Sequence, residues 1–115
     1  MPRNGAAGGV PRLLIGTHTF AARGDGARRQ AAGVASLAAL DGVRTVNVQF
    51  ARDAHRVEGI ETLAVLRNTS NALSGRAGPM KPDVSEIFAA LAAEAASRGI
   101  PLFCFTNADI IVTQR

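Results

Sequence analysis

The sequence lacks tryptophan and tyrosine, and only 4% of its residues are aromatic. Its core must therefore consist mainly of alanine, valine, leucine and isoleucine. A single cysteine, Cys104, excludes an internal disulfide and any metal site that needs several cysteines. No stretch reaches about 18 consecutive apolar residues, and the first residues lack the apolar segment of a signal peptide. We therefore expect a cytoplasmic protein with no transmembrane segment.

Several nucleotide-binding motifs are also absent. No G-x-G-x-x-G follows the first predicted strand, and G-x-x-x-x-G-K-[ST] does not occur. Both absences disfavour a dinucleotide-binding Rossmann domain and a P-loop nucleotidase. Because basic side chains are not interleaved with aromatic ones, no specific nucleic acid is expected as a partner. The net charge of +4 is carried by arginines and one lysine, and it suits anionic small molecules.

What is present indicates one α/β domain. The chain has 115 residues, of which 1–11 are predicted to form a flexible leader and 12–115 a single domain. Apolar and alternating runs predict four strands, at Leu13–Thr17, Val43–Phe50, 62–66 and 102–112. Helices are predicted at 27–40, with Asp25 as its cap, and between Asp83 and Gly99, where Glu86 completes a capping-box-like pair. Strands that alternate with helices predict three layers, with helices on both faces of a mostly parallel sheet of about four strands. The connection at 67–82 is predicted to be a long loop.

The last predicted strand carries the main candidate site. Its apolar run predicts a strand buried on both faces, and Asn107 and Asp109 follow where that run ends. One interpretation is a site for a divalent metal or a ligand hydroxyl, because hard oxygen donors suit Mg²⁺ or Mn²⁺. The other is a strand-end turn in which both side chains bond to nearby backbone. Ligands bind at the carboxyl ends of parallel strands, which favours the first interpretation.

Other polar residues have weaker signals. Arg28 and Arg29 lie in the predicted first turn of a helix, where either a bound anion or plain solvation accounts for them. Arg76 and Lys81, on the long loop, would either close over a diphosphate or serve as surface charges. His18 follows the first strand, whereas His55 lies in a charged loop with no evident partner. Cys104 is expected to be an inert, buried thiol.

The order of these elements, together with Phe105-Thr106-Asn107-Ala108-Asp109-Ile110, resembles the nucleotide-binding half of a GT-A-fold glycosyltransferase. In that family an acidic D-x-D motif follows the fourth strand and holds the metal and the sugar-nucleotide diphosphate. Here asparagine takes the place of the first acid, and it offers only a neutral oxygen. The resemblance covers about residues 12–113.

The resemblance implies a nucleoside-diphosphate sugar as ligand and Mn²⁺ or Mg²⁺ as cofactor, with Asp109 on the metal. The implied nucleotide-sugar-binding residues are Thr17, His18, Thr19, Asp53, Arg76, Lys81, Asn107 and Asp109. The family places its acceptor site and catalytic base after this motif, but the sequence ends six residues beyond Asp109. We therefore expect either a truncated glycosyltransferase domain, incomplete as an enzyme, or a missing C-terminal half supplied by a partner. The alternative is a small non-catalytic α/β binding module that forms homo-oligomers through an unpaired sheet edge.

Overall fold

A computed structural model of the chain describes residues 9–71, 75 and 81–114. Its elements follow in the order β1 (Leu13–Thr17), α1 (Gly24–Ala38), β2 (Val43–Phe50), β3 (Glu61–Leu66), α2 (Val84–Arg98) and β4 (Leu102–Phe105). All pairs of neighbouring strands are parallel, and the sheet order is β3-β2-β1-β4. The predicted Rossmann-like α/β fold is thus confirmed. Most of the predicted leader lies outside the described residues.

The two helices cover opposite faces of the sheet. Leu14, Val46 and Val48 pack against Ile87 and Leu91 of α2. On the other face, the side chains that pack together come from β1, from the end of α1 and the residues just after it, and from the start of β2, namely Ile15, Leu37, Leu40 and Val43. Alternate residues of β1 therefore face different helices, as the period of two in a strand requires. Because a helix covers each face of the sheet, the residues of both central strands, β1 and β2, are mostly buried.

Helix α2 begins and ends where local signals predict. The Asp83 side chain accepts a hydrogen bond from the Ser85 backbone N–H at 3.3 Å, and Gly99 adopts a left-handed φ of 69° after the last turn. The predicted reciprocal bond from Glu86 to the cap is not formed. Glu86 instead accepts hydrogen bonds from the backbone N–H groups of Arg67 and Asn68, both at 3.0 Å. Glu86 therefore ties the exit of β3 to the helix, a contact that local spacing does not reveal.

Helix α1 begins earlier than predicted, at Gly24, and ends at Ala38. Arg23 takes the N-cap position without a side-chain capping bond, so the prediction that Asp25 caps the helix is wrong. Asp25 lies inside the first turn, where its carboxylate pairs with Arg28 across the exposed surface. This pair offsets the unfavourable position of a cation near the helix N-terminus.

Strand β4 corrects the prediction of a strand buried on both faces. It spans only Leu102–Phe105, and it forms an edge of the sheet because it pairs with β1 alone. Leu102 is 63% exposed, and Cys104 is exposed as well, so the prediction of a buried thiol is wrong. An unbroken apolar run signals burial only when both sides of the strand are covered, and the position of β4 at the edge removes that cover.

The chain after β4 leaves the sheet and runs back along α1. A turn at Ala108 and Asp109 follows the strand. The backbone N–H of Val112 then donates to Ser36 Oγ at 3.0 Å. Further on, the Gln114 amide accepts from the backbone N–H of Asp41 and donates to its carbonyl oxygen. Residues 106–114 therefore pack on the same side of the sheet as α1.

Candidate functional site

The exits of β1 and β4 meet at the carboxyl edge of the sheet. The Thr106 backbone N–H donates to the Gly16 carbonyl oxygen at 3.0 Å, and the Thr17 hydroxyl donates to the Thr106 carbonyl oxygen at 2.7 Å. The sheet order reverses direction between these two strands, since β2 and β3 continue on one side of β1 and β4 lies on the other. Such a switch point is where open parallel sheets bind ligands. Thr17 is fully buried and holds the two strand exits together there.

Asn107 and Asp109 lie at this edge with exposed side chains. Buried Ala108 stands between them, close against Gly33 of α1, which positions the turn. No group of three or more histidine, cysteine, aspartate or glutamate side chains suited to hold a metal occurs among the described residues. Among the described residues Asp109 is therefore not part of a ready-made metal site, and a divalent ion at this edge would need most of its ligands from elsewhere, since Mg²⁺ is usually bound by one or two carboxylates plus phosphate oxygens.

His18 is oriented by the neighbouring strand. Its Nδ1 lies 2.8 Å from the Val48 carbonyl oxygen, and its ring meets Phe50 edge to face at a centroid distance of 5.7 Å. A carbonyl oxygen only accepts, so Nδ1 must carry the proton and neutral His18 leaves a lone pair on Nε2. His18 thus offers an acceptor or a metal-binding nitrogen next to the exit of β1.

A cluster of three buried polar residues, here called the amide cluster, lies beside this exit and comprises Thr19, Asn47 and Gln49. Their side chains are at most 2% exposed. Asn47 Oδ1 accepts from the Thr19 backbone N–H at 3.1 Å, and the Gln49 amide donates to the Thr19 carbonyl oxygen at 2.8 Å. The Gln49 amide also donates to Asn47 Oδ1 at 2.8 Å. The cluster therefore fixes the backbone that follows β1.

The amide cluster also holds His55, which sequence analysis left without a partner. The His55 backbone N–H donates to Gln49 Oε1 at 2.9 Å, and its carbonyl oxygen accepts from Asn47 Nδ2 at 2.9 Å. Its ring Nδ1 lies 2.7 Å from Thr19 Oγ1. No buried side-chain nitrogen or oxygen among the described residues lacks a hydrogen-bond partner. Sequence analysis missed Asn47 and Gln49, although the polar alternation of β2 was a signal.

A further side-chain amide, on α1, binds the backbone of the segment that follows β1. Gln30 of α1 accepts from the Phe20 backbone N–H at 3.2 Å and donates to the Phe20 carbonyl oxygen at 2.9 Å. The Phe20 ring is 61% exposed, because only its backbone is held. Residues 18–20 are thus anchored by β2 on one side and by α1 on the other.

The remaining predicted residues lie farther along the same edge. Asp53 follows β2, is exposed and adopts a left-handed φ of 55°, a conformation that aspartate tolerates better than most residues. Exposed Lys81 lies beyond β3, where its carbonyl oxygen accepts from the Ser70 backbone N–H at 2.9 Å. Arg76 lies outside the described residues. Of the predicted residues near β1, only Thr17 is thus joined to the chain after β4, through Thr106. His18 and Thr19 contact β2 and the segment that follows it. No described contact links Asp53 or Lys81 to Asn107 or Asp109.

Comparisons with models of protein families, with characterised proteins and with solved structures gave no match for this chain. Neither of the two long helices in the described part of the chain has the length and apolar character to cross a membrane. Inferences about function therefore depend on the geometry of the site.

Proposed function

We propose that this chain is the nucleotide-sugar-binding part of a glycosyltransferase, incomplete as an enzyme on its own. The observation that supports the proposal is the junction of β1 and β4 at the switch point, where Thr17 bonds to Thr106 and the exposed residues Asn107 and Asp109 follow within three positions. A net charge of +4 favours a diphosphate ligand electrostatically.

In this proposal Asp109 is the carboxylate that meets a divalent ion bound to the diphosphate, and Asn107 offers a neutral oxygen beside it. His18, whose Nδ1 donates to the Val48 carbonyl oxygen, presents Nε2 at the same edge. When bound, Mn²⁺ or Mg²⁺ neutralises charge on a leaving diphosphate. The task of this chain is then to hold the nucleotide and orient the diphosphate, because a preorganised site stabilises developing charge without rearranging.

Calorimetry with nucleoside diphosphates in the presence of Mn²⁺ tests the proposal. We expect saturable, Mn²⁺-dependent binding that Asp109→Ala weakens roughly tenfold or more, since a charge-assisted contact contributes about 1.5–3 kcal/mol. Asp41→Ala is the matched control, because Asp41 is an exposed aspartate directly before β2, at the opposite edge of the sheet. Asn107→Asp should strengthen Mn²⁺-dependent binding, since it adds a second carboxylate.

No binding at millimolar nucleotide would refute the proposal, as would equal binding by the Asp109→Ala variant. A gain in affinity from Asn107→Asp that disappears when Mn²⁺ is removed would assign both positions to the metal.

A second candidate is a self-associating interaction module, and the exposed β4 edge favours it. The β3 edge is protected by charge, since Glu61 pairs with Arg98 and this pairing raises the pKa of the guanidinium. Strand β4 has no charged residue, and Phe103 is 37% exposed beside Phe88 at a ring-centroid distance of 6.4 Å. An edge strand without charge, proline or bulge is a template for pairing with another chain.

Alkylation of Cys104 measures whether a second copy covers this edge. Desolvation raises the pKa of the Cys104 thiol, so the rate should still be rising with pH beyond the range in which an ordinary cysteine is fully ionised. Self-association predicts that the rate at fixed pH falls as protein concentration rises, and that Leu102→Lys removes this dependence. A concentration-independent rate, with a monomer by sedimentation at every concentration, would exclude the second candidate.

A further inference from the structure

Three buried side chains fix one partly exposed histidine. The amide cluster binds the backbone N–H, the carbonyl oxygen and the ring Nδ1 of His55 at 2.7–2.9 Å. Two of these bonds hold the backbone and the third holds the ring, and a hydrogen bond to one ring nitrogen is a common way to orient a functional histidine. His55 is not part of the proposed nucleotide site. The hydrogen bonds that hold His55 therefore indicate a different function for it.

The hydrogen-bond distances also favour one position for the proton of the His55 ring. The Thr19 backbone N–H fixes Asn47 Oδ1 as an acceptor, and the His55 carbonyl oxygen fixes Asn47 Nδ2 as a donor. Thr19 Oγ1 therefore accepts from Asn47 at 2.8 Å, and it also lies 3.4 Å from the Gln49 amide nitrogen. Two acceptors remain for the hydroxyl proton, His55 Nδ1 at 2.7 Å and the His55 carbonyl oxygen at 3.5 Å, and the shorter contact assigns the proton to Nδ1. Neutral His55 then carries its proton on Nε2, which meets no acceptor among the described residues.

His55 lines a cavity of about 590 Å³ between α1 and the connection from β2 to β3. The volume is within the range of small-molecule sites. Its apolar lining consists of short side chains, of which Val34 and Ala38 are buried and the others are partly or fully exposed, namely Ala27, Ala31, Ala35 and Val57. Phe20, with its exposed ring, lies at the same cavity, and Glu58 contributes a carboxylate that has no ion-pair partner in the described part of the chain.

We propose that this cavity binds a small neutral molecule in which a flat apolar ring carries an amide. In this proposal the ring packs against the alanine side chains of the lining and the Phe20 ring, and the amide oxygen accepts from His55 Nε2–H. The carboxylate of Glu58 accepts an amide N–H and disfavours anions. An aromatic amide matches all three features at once, whereas a carboxylic acid or an amine matches fewer. The proposal requires no nucleotide and is independent of the switch-point site.

NMR of the two histidine rings in the unaltered protein is the first test. At a pH where both rings are neutral, we expect His55 to carry its proton on Nε2 and His18 to carry its proton on Nδ1. Because His18 in the same protein serves as the comparison for His55, no variant that would disturb the buried cluster is needed. A His55 ring protonated on Nδ1, or one that exchanges between both forms, would overturn the proposal.

Titration with benzamide, benzoate and benzylamine is the second test. Benzamide should give saturable shifts centred on the His55 and Phe20 rings, and benzoate and benzylamine should bind more weakly. Loss of the hydrogen bond in His55→Phe should weaken benzamide binding about fivefold. Ala35→Leu should weaken it clearly by taking up part of the cavity at a residue that makes no side-chain hydrogen bond to the cluster, and Arg56→Ala, an exposed change outside the lining, should leave it unaltered.

Each contrary result has a clear meaning. Equal shifts with benzoate would show that the amide is not recognised. Benzamide binding that is equally strong in Ala35→Leu would place the ligand elsewhere, and the absence of saturable shifts would remove the site. Nucleotide binding is measured separately and is unaffected by any of these outcomes.

Discussion

Gly33→Ala is expected to destabilise the protein by about 1–3 kcal/mol, although alanine normally stabilises the interior of a helix. A Cβ at Gly33 would overlap the carbonyl oxygen of Ala108, a backbone atom that cannot rotate away. Either α1 or the turn after β4 must move, and Asn107 and Asp109 would move with that turn. We therefore expect weaker nucleotide binding as well as lower stability.

Gly26→Ala is the matched control in the same helix. The nearest atom to its new Cβ is the Ala22 Cβ at 3.8 Å, an ordinary contact. The substitution should stabilise the protein by roughly 0.5–1 kcal/mol, because alanine loses less backbone entropy than glycine on folding. Urea unfolding of both variants measures the difference. Two changes of the same sign would contradict the packing of Ala108 on α1.

Asn47→Asp is expected to cost about 2–4 kcal/mol at neutral pH, although it changes a single group in a side chain of the same size. The amide nitrogen it replaces donates to Thr19 Oγ1 at 2.8 Å and to the His55 carbonyl oxygen at 2.9 Å. A carboxylate oxygen there faces a carbonyl oxygen, which has no proton to offer. Because Asn47 is fully buried, solvent does not screen the repulsion.

The pH dependence of this variant provides a second measurement. Burial raises the pKa of an aspartate at this position, so the folded state binds more protons than the unfolded state at intermediate pH. Acidification should therefore reduce the loss of stability relative to the unaltered protein, since a protonated carboxyl group donates again. Asn107→Asp, at an exposed position, should change stability by no more than about 0.5 kcal/mol. Equal effects of the two substitutions would contradict the buried cluster.

The buried cluster lies between the two proposed sites, although each site binds its ligand independently. The segment of residues 18–20 is anchored by the amide cluster and by Gln30, and it lies between the exit of β1 and the cavity that His55 lines. His18 extends from this segment toward β2, and Phe20 extends into solvent at the cavity. A rigid backbone reduces the ordering cost of binding at either site.

Local signals determined much of the fold. The cap at Asp83 and the left-handed Gly99 set the ends of α2, because capping depends on neighbours within a few residues. The alternation from Val43 to Phe50 placed β2 within its observed bounds. The interleaving of strands and helices determined a parallel sheet covered on both faces, since parallel strands need crossover connections.

Tertiary structure alone decided which polar residues converge and which apolar residues stay exposed. His55 meets Thr19 across 36 positions of sequence, and Thr17 meets Thr106 across 89, because neighbouring parallel strands bring distant segments side by side. Local propensity contains no information about such register. The exposure of Leu102 and Cys104 likewise depends on β4 lying at the sheet edge, a position set by the crossover from α2 and not by the apolar run itself.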